Sequence, residues 1–71
     1  MAALQFGRSR LPELLERKHM TQAEFARKME ISEPFVSKII SGRSKLSLLS
    51  SKKASDILGC TINELYEWKY T

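Results

Sequence analysis

Two capping-box patterns and two glycine stops divide this chain into short helices. Residues 21–24 (Thr-Gln-Ala-Glu) and 61–64 (Thr-Ile-Asn-Glu) each place a carboxylate three residues after a hydroxyl, so that both groups can satisfy open N–H groups at a helix start. Gly42 and Gly59 each follow an apolar run, where a glycine readily takes the left-handed conformation that ends a helix. These signals predict helices whose ends are set locally.

Apolar residues recur with helical spacing between these signals. They predict a first helix over residues 9–18, which can start anywhere from Ser9 to Leu11 because Pro12 must lie in a first turn. Further helices are predicted over residues 22–29 and 33–41, from near Ser47 to Leu58 with Leu48 and Leu49 in the apolar set, and after Thr61, where a short fifth helix carries Leu65 and Trp68. The low valine and threonine content argues against strands. We therefore expect an all-α, compact five-helix domain over residues 1–71, with a short N-terminal arm over about residues 1–8.

The size and the reactive residues limit what the chain can do. Seventy-one residues form one small core, which excludes large catalytic folds. Cys60 is the only cysteine and His19 the only histidine, so an internal disulfide and a structural zinc site are both excluded. Neither the serines nor the acidic residues form a recognisable catalytic set. We expect no enzyme activity, no metal and no cofactor.

The charge is concentrated in the first two thirds of the chain. The net charge is +4, and residues 8–45 contain nine basic and five acidic residues, whereas residues 46–71 contain three of each. This distribution predicts that a polyanion binds the first two thirds. No stretch approaches the ~18 apolar residues of a membrane span, and residues 1–7 are too short and too weakly apolar for a secretory signal. We expect a cytoplasmic protein without membrane contact.

The second and third predicted helices, the three residues between them and the basic loop that follows fit the description of a helix-turn-helix. If Val36, Ile39 and Ile40 face the core, the outer face of the third helix carries Glu33, Pro34, Ser37, Lys38 and Ser41. These side chains are then available to a groove.

The residues that carry a family resemblance are 21–29 (Thr-Gln-Ala-Glu-Phe-Ala-Arg-Lys-Met), 31–32 (Ile-Ser), 36–39 (Val-Ser-Lys-Ile), 41–42 (Ser-Gly) and 58–65 (Leu-Gly-Cys-Thr-Ile-Asn-Glu-Leu). Over about residues 8–68 the chain resembles the phage repressor and Cro-like (XRE-type) helix-turn-helix family. The resemblance implies that the third helix lies in the DNA major groove and reads bases through Glu33, Pro34, Ser37 and Lys38. It also implies phosphate contacts from Gln22, at the start of the second helix, and from Ser41, Gly42, Arg43 and Lys45.

The base-reading assignments also make chemical sense without the family. Lysine can donate to guanine O6 and N7, glutamate can accept from cytosine N4, and serine can do either. Pro34 or Phe35 could contact a thymine methyl group.

Four residues depart from the family pattern. Leu15 and Ile40 replace an arginine–glutamate pair that the family often has, and an apolar replacement of both partners can be neutral or stabilising. His19 and Glu30 stand at positions where a glycine and a left-handed backbone are usual. For the glutamate, that backbone would cost about 1 kcal/mol or shift the turn.

Three aromatic residues, Tyr66, Trp68 and Tyr70, end the chain, and they allow two interpretations. They cover the small core, or they form the contact of a dimer whose copies bind half-sites about 34 Å apart. We expect no separate dimerisation domain after Thr71.

Together these features predict a sequence-specific double-stranded DNA-binding transcriptional regulator, a small repressor of phage or mobile-element type that binds as a homodimer. The alternative is a protein-interaction module on the same fold, an antitoxin or the partner of an anti-repressor, in which the third helix or the aromatic tail binds a protein. The acidic Glu33 favours the alternative, because it weakens the attraction for phosphates. The salt dependence of binding distinguishes the two functions.

Overall fold

Two strands from opposite ends of the chain pair with each other beside a group of four α-helices. The computed structural model describes residues 3–71. The elements in chain order are β1 (Leu4–Ser9), α1 (Leu11–Arg17), α2 (Gln22–Met29), α3 (Glu33–Ser41), α4 (Leu48–Leu58), a short 3₁₀ helix (Ile62–Leu65) and β2 (Tyr66–Tyr70). The prediction of an all-α, five-helix domain is therefore wrong.

The sheet is formed by segments that the sequence assigned to the arm and to the fifth helix. Strands β1 and β2 are antiparallel, with Leu4 opposite Tyr70 and Phe6 opposite Trp68. At Tyr66 the chain leaves the 3₁₀ helix in an extended conformation, with φ −136° and ψ 154°. Strand pairing joins residues that are remote in sequence, so helical spacing and local propensity do not reveal it.

A bulge in β1 brings the two strands unusually close at a glycine. The register shifts between Phe6 and Ser9, so that Gly7 and Arg8 together lie opposite Glu67. A Cβ on Gly7 would lie 2.6 Å from the backbone oxygen of Glu67. The close approach of the strands therefore requires glycine at this position.

Ion pairs connect the bulge to the first helix. The Arg8 guanidinium donates to the Glu13 carboxylate of α1 at 2.8 Å and to Glu67 of β2 at 3.2 Å. The hydrogen bond from Arg8 lowers the pKa of Glu13. Helix α1 begins at Leu11, the latest of the starts allowed by the sequence, and the Ser9 hydroxyl accepts the N–H of Leu11 at 3.2 Å.

Local signals set the ends of α2, α3 and α4, as predicted. The hydroxyl groups of Thr21, Ser32 and Ser47 accept N–H groups three residues later at 3.1, 3.2 and 3.2 Å. Gly42 and Gly59 end α3 and α4 with φ 84° and 66°. The predicted bounds of the second and third helices are confirmed.

The second capping box also forms, but it starts a different element. The Glu64 carboxylate accepts the backbone N–H of Thr61 at 3.0 Å and its hydroxyl at 3.1 Å. The helix that follows is a single 3₁₀ turn, because the next residues join β2. Trp68, which we expected on a fifth helix, therefore lies on a strand.

One continuous core joins the helices to the base of the sheet. Its buried apolar residues are Leu11, Leu14, Leu15, Phe25, Ala26, Met29, Val36, Ile39, Ala54, Leu58, Leu65 and Tyr66. Leu48 and Leu49, which we expected in the apolar set of the fourth helix, are 76% and 84% exposed. They lie in the first turn of α4, and the buried stripe of that helix begins one turn later, at Ser51. No helix within residues 3–71 has the length and apolar character needed to cross a membrane.

Candidate nucleic-acid interface

The turn between α2 and α3 has the left-handed backbone expected from the sequence. Glu30 ends α2 with φ 61° and ψ 41°, and His19 takes φ 53° after α1. The N–H of Glu30 donates to Arg27 O at 3.1 Å, and that of Ile31 donates to Ala26 O at 3.0 Å. Glu30 itself therefore takes the left-handed conformation, and the N–H groups of Glu30 and Ile31 are both hydrogen-bonded.

Packing of α2 on α3 determines which side of α3 faces outward. Helix α2 buries Phe25, Ala26 and Met29, and α3 buries Val36 and Ile39. The expected outer face of α3 is confirmed, since its members are all exposed: Glu33, Pro34, Ser37, Lys38 and Ser41. These five side chains form one accessible face of α3, whose opposite face is packed in the core.

Phe35 and Ile40 of α3 and Leu15 of α1 take part in the apolar packing behind this face. Phe35 is partly buried and packs against the core, so its ring is only in part available to a thymine methyl. Ile40 is also partly buried, whereas Leu15 is buried. The two positions that hold a charged pair in many family members are thus both part of the apolar packing here.

The start of α2 presents open N–H groups beside Gln22. The Thr21 hydroxyl accepts the N–H of Glu24, and the N–H groups of Gln22 and Ala23 precede the first N–H that donates within the helix, that of Phe25. The Gln22 side chain is exposed. This end of the helix therefore offers donors and a partial positive charge to an anion.

The backbone of the loop after α3 is directed back toward that helix. The N–H groups of Arg43 and Ser44 donate to Lys38 O at 2.9 and 3.2 Å, and that of Gly42 donates to Ile39 O at 3.2 Å. These backbone donors are already used. A polyanion would therefore meet the side chains of this loop.

The side chains of the loop form a small network in which one arginine keeps its outer nitrogens accessible. Ser41 Oγ donates to Lys38 O at 3.1 Å, and Arg43 Nε donates to Ser41 Oγ at 3.4 Å. Lys45 Nζ donates to the carbonyl oxygen of Gly42 at 2.9 Å. The bond from Nε orients the Arg43 side chain. Its two terminal nitrogens take no part in the hydrogen bonds of this network.

Within the described residues, the ion pairs do not include the basic residues of the helix-turn-helix and the loop after it. Within residues 3–71, the basic residues in ion pairs are Arg8, Arg10, Arg17, Lys52 and Lys53. In the same part of the chain, no ion pair uses a cation of α2, α3 or the following loop, namely Arg27, Lys28, Lys38, Arg43 and Lys45. The positive charge of this region is therefore not cancelled by neighbouring carboxylates, and it attracts anions.

The C-terminal aromatic residues have different environments. Tyr66 is 4% exposed and belongs to the core, and burial raises the pKa of its phenol. Trp68 is 39% exposed and donates from Nε1 to the backbone oxygen of Asn63 at 2.9 Å. Tyr70 is 73% exposed. Of the two interpretations of these aromatic residues, covering of the core is correct for Tyr66. The rings of Trp68 and Tyr70 remain accessible.

Phe6 has a structural role that we did not predict, although the sequence contains a signal for the strands that place it. Aromatic and charged residues alternate over residues 66–70 (Tyr-Glu-Trp-Lys-Tyr), and apolar residues alternate with polar ones in residues 4–6. A period of two is typical of strands. The Phe6 ring lies 4.9 Å from that of Tyr66 and 5.2 Å from that of Trp68, between centroids.

No cluster of three or more histidine, cysteine, aspartate or glutamate side chains that could hold a metal occurs in the described residues. Cys60 is a partly buried thiol, and burial raises its pKa. A raised pKa disfavours the reactive thiolate.

The chain matches the family model described as helix-turn-helix over residues 13–65, which is more than half of its length. None of the curated proteins compared with the chain matches it. The matched region contains α2, the turn, α3 and the loop, whereas both β1 and β2 lie outside it.

Proposed function

The chain belongs to the XRE-type helix-turn-helix family of DNA-binding regulators, and on this basis we propose that it is a sequence-specific double-stranded DNA-binding repressor of phage or mobile-element type. The observation that carries the proposal is the group of unpaired cations on α2, α3 and the following loop. They lie on α3 and on the elements that precede and follow it, and the exposed face of α3 carries polar side chains that can contact base edges. Phosphate attraction and base contact are thus provided by adjacent elements.

Base reading is assigned to the exposed face of α3. Lys38 lies one turn beyond Pro34 and donates to guanine O6 and N7. Glu33 accepts from cytosine N4, Ser37 donates or accepts, and Pro34 contacts a thymine methyl group. Because Glu33 is acidic, it does not strengthen binding to every duplex. It favours only a duplex that offers a hydrogen-bond donor, such as cytosine N4, at its position.

Phosphate binding is assigned to the two flanks of this face. On one flank, Gln22 and the open N–H groups at the start of α2 contact a phosphate. On the other flank, Arg43 contacts a phosphate through its terminal nitrogens, with Lys45 beside it. Ser41 and Gly42 contribute by fixing the loop, because their donors are directed to α3.

The repressor acts as a homodimer on DNA in this proposal. One domain of this size offers about 600–1,000 Å² to DNA, which is too little for tight specific binding unless two copies share a site. Trp68 and Tyr70 are accessible on β2, and they form the contact with the second copy. A dimer on an operator would exclude polymerase without any ligand or chemistry.

The test of DNA binding is a selection from a random-duplex pool, followed by a salt titration of the selected duplex. We expect enrichment of one sequence and a linear decrease of log affinity with log salt concentration, because each phosphate contact releases counterions. A pool without enrichment, or binding that is independent of salt, would contradict the proposal. A protein-interaction module would give that second result.

The dimer contact is tested with Trp68→Ala and Tyr70→Ala on duplexes with one and two half-sites. Each substitution should reduce cooperative occupancy of the two-half-site duplex and preserve affinity for the single half-site. Circular dichroism melts verify that the variants are folded. Unchanged cooperativity in both folded variants would rule out this surface as the contact.

A further inference from the structure

The loop after α3 is attached to the terminal sheet at two successive residues. Lys45 Nζ lies 5.6 Å from the centroid of the Phe6 ring of β1, within the range of a cation–π contact. The backbone N–H of the next residue, Leu46, donates to the hydroxyl oxygen of Tyr66 of β2 at 3.4 Å. Each strand therefore contacts the loop through one aromatic residue.

The other end of the same loop is attached to α3. The Lys38 carbonyl accepts the N–H groups of Arg43 and Ser44, and Gly42 is held by the N–H bond to Ile39 O and by the ammonium of Lys45 on its carbonyl. Lys45 therefore connects the two attachments, since its single ammonium group reaches both the start of the loop and the Phe6 ring. Arg43 lies within the segment that is fixed from both sides.

Contacts between aromatic rings fix the position of Phe6, the β1 residue that contacts the loop. The Phe6 ring packs edge-on against Tyr66 with an interplanar angle of 68° and lies tilted against Trp68 with an angle of 34°. Tyr66 is itself buried in the core. The position of the Phe6 ring is thus fixed by the core, although Phe6 is on an exposed strand.

We propose that Phe6 and the Tyr66 hydroxyl are positioning residues for DNA binding, which hold residues 42–46 so that Arg43 meets the phosphate backbone. Neither residue contacts DNA, and both act through the loop. The Lys45 ammonium group connects the Gly42 carbonyl to the Phe6 ring. It can bind a phosphate only with N–H donors that the Gly42 carbonyl does not use. The inference rests on the proposed function, because it assigns a role in duplex binding.

The experiment is a double-mutant cycle on a duplex with one half-site, which removes any effect of dimerisation. Phe6→Leu removes the ring and keeps an apolar side chain, and Tyr66→Phe removes only the hydroxyl group. Each should weaken wild-type binding about fivefold, the size of coupling found between residues in contact. In an Arg43→Ala background the same substitutions should cause almost no further loss, because the side chain that they position is gone.

Leu4→Ala is the matched control, because Leu4 lies on the same face of β1 as Phe6, two residues earlier, and has no hydrogen bond or ring contact with the loop. It should leave the affinity unchanged in both backgrounds. A general loss of folded protein would weaken binding by the same factor with and without Arg43, so equal factors would overturn the inference. Wild-type affinity in both Phe6→Leu and Tyr66→Phe would also overturn it. If the wild-type protein binds no duplex, the proposed function itself has failed.

Discussion

The helix-turn-helix and the terminal sheet use their charged residues in opposite ways. In the sheet, Arg8 is shared between Glu13 and Glu67, and the pKa of Glu13 is lowered as a result. On α3 and the following loop, Lys38 and Arg43 have no carboxylate partner within residues 3–71. The chain neutralises charge where its two ends meet and leaves positive charge where a polyanion is expected.

The difference also concerns what holds each region in place. Exposed ion pairs such as Arg8–Glu13 contribute little stability, so the sheet depends on the close strand contact at Gly7 and on the packing of Phe6 against Tyr66. The helix-turn-helix depends on caps and buried apolar residues. The sheet is thus held by contacts between residues remote in sequence, whereas the helix-turn-helix combines local caps with packing in the shared core.

The largest expected effect separates the two regions by stability. Gly7→Ala should lower the free energy of unfolding by about 2–3 kcal/mol, because its Cβ would meet the Glu67 backbone and the strands would have to move apart. Urea melts measure the change. Gln5→Ala, an exposed substitution on the same strand, should stay within about 0.5 kcal/mol of wild type. Equal melts for the two variants would show that the sheet is not tightly coupled to the core.

The next effect concerns specificity. Lys38→Ala should reduce the preference for the selected base pair at one position by about 2 kcal/mol, because a base contact is lost. Competition between duplexes that differ at single positions measures this preference. Lys28→Ala, an exposed cation of α2 without an ion pair, serves as control and should keep the preferred sequence. If the Lys38 variant keeps it as well, α3 does not read bases through this lysine.

Two arginines compare the regions directly. Arg43→Ala should make the slope of log affinity against log salt concentration shallower by about one unit and weaken all duplexes alike. Arg8→Ala should leave the slope unchanged, since that guanidinium is bound to two carboxylates. Salt titrations of both variants measure the slopes. Equal slopes for Arg43→Ala and Arg8→Ala would remove the distinction between unpaired and paired cations.

The two capping threonines give smaller effects. Thr21→Ala and Thr61→Ala should each lower the free energy of unfolding by about 1 kcal/mol. The first removes the hydroxyl that accepts the N–H of Glu24, and the second removes the hydroxyl that donates to the Glu64 carboxylate. Only Thr21→Ala should also weaken duplex binding, since it loosens the start of α2 beside Gln22. Serine at either position keeps the hydroxyl and should restore most of the loss. Melts without any change in the alanine variants would contradict the role of these caps.

The smallest effect is a pH dependence at the sheet end. Hydrogen bonds from the Thr61 N–H and hydroxyl lower the pKa of Glu64 below its ordinary value of 4.5. A lowered pKa in the folded state stabilises the protein above the ordinary value, and this contribution disappears as the pH falls through the lowered pKa. The urea midpoint of Glu64→Gln should therefore fall less steeply on acidification than that of wild type. Glu13 keeps a residual dependence in the variant, since its pKa is lowered too.

The helix-turn-helix was predicted residue by residue because its signals are local. A hydroxyl at Thr21 or Ser32 caps an N–H three residues away, and the glycine at Gly42 ends α3 through its own backbone. The outward face of α3 followed from the spacing of its buried residues. The left-handed backbone at Glu30 was expected from the family resemblance, in which a glycine usually stands at this position.

The pairing of β1 with β2, and with it the attachment of the loop after α3, depends on contacts between residues that are remote in sequence. Leu4 meets Tyr70 across the sheet, and Phe6 reaches Lys45 in the loop. The alternation in residues 66–70 is compatible with a strand, but a strand needs a partner, and the choice of β1 depends on how the helices bring the two ends together. Helix ends are therefore determined by residues that are close in sequence. The sheet, in contrast, forms because the packing of the helices places its two strands side by side.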